Sequence, residues 1–86
     1  MTSARQKIKA KVLRVCAKRL ITLKEFLFQA DVPFLRWYKF MNGQVPSFET
    51  VCLLIKSADN MLEFEDFEEI FEEKLINPVE AIEEKI

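Results

Sequence analysis

The chain has 86 residues, half of them apolar, with eight Phe, one Gly and three Pro. A chain this short makes one domain that buries about 60–65% of the surface it exposes when unfolded; its composition excludes a disordered chain and points to several short, tightly connected helices. The absence of His removes the commonest general base and metal ligand, and the net charge of −1 conceals a split: residues 1–24 hold eight Lys/Arg and no acid, whereas the rest sets five basic residues against all fourteen acids, a balance of −9.

Residues 3–20 read as a first helix, with Ser3 as its cap. Ile8, Val12, Val15/Cys16 and Arg19/Leu20 step by three and four to make an apolar stripe. Arg5, Lys7, Lys11, Arg14 and Lys18 lie off that stripe and are expected in solvent. Residues 1–19 carry no apolar run of signal-peptide length. No stretch of about eighteen apolar residues offers a membrane span either, so a cytoplasmic protein with no membrane partner is expected.

Thr22-Leu23-Lys24-Glu25 is a capping box that opens a second helix running from Leu23 to about Ala30. Pro33 disfavours the helical conformation at Val32 and stops it, and Asp31 tolerates a left-handed turn. Pro33 suits the first turn of a third helix, which runs to about Met41, where one of Asn42-Gly43 takes the left-handed exit.

Ser47 caps a fourth helix, with Glu49 near its positive end and Val51, Leu54, Ile55 and Ala58 facing inward. Asp59-Asn60 closes it. Residues 63–76 read as a fifth helix with Phe64, Phe67, Ile70/Phe71 and Leu75 on its apolar face. Asn77, Pro78 and Glu80 then signal a short terminal helix over 78–86. Cys16 and Cys52 each fall inside an apolar helical pattern and are expected as buried, reduced thiols.

Two short helices joined by a three-to-four-residue turn can cross steeply and brace each other. Here the sequence resembles the lambda-repressor-like (Cro/XRE-type) helix-turn-helix family. The residues that carry the resemblance are Ile21-Thr22, Glu25-Phe26, Ala30-Asp31-Val32, Trp37, Lys39-Phe40-Met41-Asn42-Gly43, then Pro46-Ser47, Glu49-Thr50 and the apolar helix behind them. The match covers about residues 5–62 without an insertion. The chain departs from the pattern in four ways, one of them on the third helix, where Pro33, Phe34, Leu35, Arg36 and Tyr38 stand in place of the family's outward Ser, Arg, Gln or Thr. Leu27 stands where the family has a small residue between the two helices. Asp31 stands in place of the turn Gly, and Leu23 in place of a Gln that often contacts phosphate.

The resemblance implies an all-α, compact five-to-six-helix fold with a central helix-turn-helix. It divides the chain into a helix-turn-helix domain over 1–62 and an acidic helical extension over 63–86, which packs on that domain or forms a dimer interface. It also implies a sequence-specific, repressor-like transcriptional regulator that binds double-stranded DNA as a homodimer, since paired recognition helices must span one DNA turn.

Helical geometry sorts the third helix. Trp37, Phe40 and Met41 share one face and belong to the core, with Phe34 at its edge. Leu35, Arg36, Tyr38, Lys39 and Asn42 point the other way. In a major groove Lys39 would donate to guanine and Asn42 would bond adenine or a phosphate. Phe34 and Leu35 would touch thymine methyls. Arg36 and Tyr38 would hold phosphates, and the basic residues of the first helix, with Lys24, would support the backbone grip; Pro33 completes the DNA-facing set. The alternative is a protein partner docked on an apolar patch of Phe34, Leu35 and Tyr38.

The basic N-terminal segment invites an anionic partner, or pairs with the acidic remainder inside the fold. No phosphate loop or nucleophile motif is present. The acids at 63–73 lie on one continuous helix without calcium-loop spacing. Neither an enzyme, a cofactor nor a metal is therefore expected.

Overall fold

A computed structural model describes residues 3–76, and among these the chain is all-helical. In chain order the elements are α1 (Ala4–Arg19), α2 (Leu23–Gln29), α3 (Phe34–Met41), α4 (Phe48–Ser57), a 3-10 turn (Phe64–Phe67) and α5 (Glu68–Ile76). The terminal helix expected over 78–86 and the Leu75 side chain lie outside what is described.

Local chemistry starts the helices. Ser3 Oγ accepts from the Gln6 N–H at 3.2 Å, and the Gln6 side chain accepts from the Ser3 N–H. Thr22 and Glu25 make the same reciprocal pair at 3.1 and 3.4 Å. Ser47 accepts from the Thr50 N–H at 3.2 Å, while the buried Thr50 hydroxyl lies 2.9 Å from Ser47 Oγ. Each cap satisfies a backbone donor that has no partner within its helix.

The first three helices end alike, on a left-handed residue: Leu20 (φ 57), Asp31 (φ 62) and Gly43 (φ 113). In each case the following N–H reaches back to a carbonyl in the last turn: Ile21 to Cys16, Val32 to Leu27 and Gln44 to Lys39. This closure satisfies carbonyls the helix leaves open. Asp31 and Gly43 behave as expected. Leu20 does not: it leaves the apolar stripe and is 91% exposed, because the left-handed reversal swings its side chain into solvent.

The core is continuous. Ile8, Val12 and Val15 of α1, Phe26 and Leu27 of α2, Trp37 and Phe40 of α3, and Val51 and Leu54 of α4 are all buried. Phe67 and Ile70 complete the same cluster, and the Phe67 ring stacks on Phe40 at 6.0 Å. Leu27 is absorbed into this core, 1% exposed.

Three expectations are corrected. Pro33 sits one residue before α3, with φ −57 and ψ 137, so it caps the helix instead of forming its first turn. The segment from 63 begins as a 3-10 turn, where the Asp66 carboxylate accepts from the Glu63 N–H at 2.9 Å, and Phe64 is half-exposed. Arg5 and Lys11 are not simply solvated, because each reaches across the fold. Lys11 Nζ pairs with Asp66 at 2.7 Å, so part of the basic helix does bind the acidic segment.

Candidate functional site

α3 is an eight-residue rod plugged into the core by two rings. Trp37 and Phe40 are 3% and 1% exposed, and they meet edge-to-face at 5.8 Å. Their spacing of three residues puts both on one face, so the opposite face is presented to solvent. Leu35, Arg36, Tyr38, Lys39 and Asn42 are all exposed. Met41 is half-buried against the core. Phe34 was expected at the core's edge but is exposed, with the Lys24 ammonium 5.6 Å from its ring centroid.

Two anchors hold this rod. At its start, Pro33 O accepts from the Arg36 and Trp37 N–H groups at 3.0 and 3.2 Å. At its end, the Arg5 guanidinium of α1 donates to the carbonyls of Phe40, Gly43 and Gln44 at 2.8, 3.0 and 3.3 Å. A cation at a helix C-terminus also meets the negative end of the helix dipole. Arg19, at the far end of α1, does the same for α4: it donates to the Ser57 carbonyl at 2.7 Å and pairs with Asp59.

The exposed face is cationic and polar around an apolar centre. From Val32 to Phe48 the chain holds Arg36 and Lys39 and no acid. Pro33, Leu35, Arg36, Lys39 and Gln44 line one shallow depression. Gln44 was missed by reading the sequence as helices and loops. The Gly43 reversal turns it back beside the rod, and only the helix-ending Asn42-Gly43 pair hinted at this. Asn42 is partly committed, since its side-chain amide donates to the Tyr38 carbonyl at 2.7 Å. Its remaining amide donor and its oxygen are what it can offer a ligand. Lys24, on the first turn of α2, is exposed beside Phe34, so the expected set of Lys24, Pro33, Phe34, Leu35, Arg36, Tyr38, Lys39 and Asn42 is exposed throughout.

Chemically, such a surface can donate hydrogen bonds to anionic or carbonyl-type acceptors and cover apolar groups. Among the described residues no cluster of His, Cys, Asp or Glu is arranged to hold a metal. No helix there is long and apolar enough to cross a membrane. Both cysteines are free thiols, Cys16 buried and Cys52 half-buried. Burial pushes the Cys16 thiol above its ordinary range, despite the opposing pull of Arg19. Comparison of the chain with protein-family models, curated proteins and solved structures gave no match.

Proposed function

We propose that the protein is a sequence-specific DNA-binding regulator of the lambda-repressor-like type, which lays the outward face of α3 in the major groove. On this reading residues 1–62 are the helix-turn-helix domain, and the working species is a homodimer that presents two α3 helices to one duplex. Lys39 reads a base edge; Arg36 and Tyr38 hold phosphates; Lys24 and Asn42 support the grip. Leu35 and Phe34 cover thymine methyls.

One observation carries the reading. A rod locked by Trp37 and Phe40 exposes Arg36, Tyr38 and Lys39 on a stretch of chain that holds no acid from Val32 to Phe48. Local positive charge, not the net charge of −1, steers a protein to a phosphate backbone.

The test is selection of duplexes from a random pool, followed by binding titrations at several salt concentrations. The expected result is an enriched site whose affinity falls steeply with salt and drops in Lys39→Ala and Arg36→Ala. Failure to enrich any sequence, together with no duplex binding at low salt, would overturn it.

A second reading has its own observation. Phe34, Leu35 and Tyr38 are 47%, 61% and 56% exposed, an apolar surface suited to a protein partner. Under that reading Leu35→Glu abolishes a protein complex while duplex binding is absent from the start.

A further inference from the structure

Away from α3, Phe48 opens α4 and Phe64 opens the 3-10 turn, and their rings stack at 5.7 Å with planes 13° apart. Both are largely exposed, at 68% and 52%. Together with Phe71 they floor an open groove of about 400 Å³ whose other walls are Glu68 and Glu72. Exposed aromatic surface of this kind marks a contact site. Two such grooves cannot face each other, because that would bring four carboxylates of like charge together. The occupant must be apolar along its middle and basic along its edges.

Among the described residues α1 carries such an element. On α1 the residues facing solvent are Gln6, whose side chain is held in the Ser3 cap at the start of the helix, and Lys7, Lys9, Ala10, Leu13, Arg14, Ala17 and Lys18. At 3.6 residues per turn, Ala10, Leu13 and Ala17 form a narrow apolar strip along the centre of that face. Lys9 borders it on one side, and Lys7, Arg14 and Lys18 on the other. Leu13 is the one large side chain in the strip, 42% exposed. The opposite face of α1, with Ile8, Val12 and Val15, is already buried in its own core.

We propose that the outward strip of α1 from a second copy of this chain docks in the Phe48–Phe64–Phe71 groove. Leu13 sits against the rings, and Lys9 and Arg14 meet Glu68 and Glu72. Each copy offers both surfaces: reciprocal pairing about a two-fold axis closes an isologous dimer, whereas one-way pairing is heterologous and grows into longer chains. No residue of α3 takes part, so the contact leaves that face open.

Sedimentation and light scattering on the full chain test this. The expected result is self-association that rises with concentration and weakens with added salt. A Glu68→Lys/Glu72→Lys variant and a Lys9→Glu/Arg14→Glu variant each self-associate at least about tenfold more weakly. Mixing the two restores assembly, because each then pairs with the charge it lost. Leu13→Glu, which keeps the helix and removes the anchor, also abolishes association. Wild-type protein that stays monomeric up to millimolar concentration at low salt overturns the proposal. So does association that is indifferent to these changes, or a mixture that shows no recovery. A monomer that still binds duplexes would sink this contact and the homodimer while leaving the α3 reading of DNA standing.

Discussion

Arg5 Nε donates to the Phe40 carbonyl at 2.8 Å, joining the first turn of α1 to the last turn of α3 across 35 positions of sequence. The same guanidinium lies 5.8 Å from the Phe40 ring centroid. One basic residue therefore fixes where the candidate reading rod ends and how it sits on the scaffold.

Arg5→Ala removes the cap on the α3 carbonyls. Hydrogen bonds to a charged group are worth about 1.5–3 kcal/mol each when buried, and this one is only partly so; we expect about 1–2 kcal/mol of lost stability. Arg5→Lys restores only part of it, since an ammonium cannot reproduce the planar fork that spans three carbonyls. Urea denaturation with an unchanged m-value and a lower midpoint is the check.

Phe67 and Phe64 stand three residues apart in one turn and should behave in opposite ways. Phe67 is fully buried against Phe40, so Phe67→Ala should cost about 3–5 kcal/mol. Phe64 is half-exposed and Phe64→Ala should cost less than about 1.5 kcal/mol. Thermal melts of the two variants decide it. Equal losses would mean that the turn does not pack as described.

Leu20 occupies the left-handed region with its side chain in solvent. A side chain there costs about 1–2 kcal/mol per residue relative to relaxed backbone, a penalty glycine avoids. Leu20→Gly should therefore raise stability by about 0.5–1 kcal/mol, even though it adds freedom to the unfolded chain. A melting temperature below wild type would refute this.

For duplex binding, a side chain that reads a base edge contributes about 1–3 kcal/mol of discrimination. Lys39→Ala should then weaken the selected site by about 5- to 150-fold and relax its sequence preference. Arg36→Ala should weaken all duplexes alike and flatten the salt dependence by about one charge. Competition titrations against scrambled duplex separate the two.

The Cys16 thiol is held above its ordinary range by burial. Its unfolded form therefore ionises at lower pH than its folded form. The sign follows: the folded state keeps its full stability below the usual thiol range and loses some as pH rises through it. Thiol-labelling at mildly alkaline pH should modify the half-buried Cys52 first, with Cys16 reacting only as the helices open.

The starts of α1, α2 and α4 and the direction of α3 were legible in the linear chain. Thr22 with Glu25 and Ser47 before α4 act through bonds spanning three residues, and the spacing of Trp37 and Phe40 names the buried face without any knowledge of what covers it. Those are short-range rules of hydrogen bonding and helical period, so they survive in a string of letters. Tertiary structure alone decided the fate of the basic residues. Arg5, Lys11 and Arg19 looked alike in composition, yet each found a partner between 35 and 55 positions away. It likewise decided that Leu20 turns outward and that Phe48 and Phe64 pair in solvent instead of joining the core. Such outcomes depend on which distant segments the closed core brings together, and no local period encodes that.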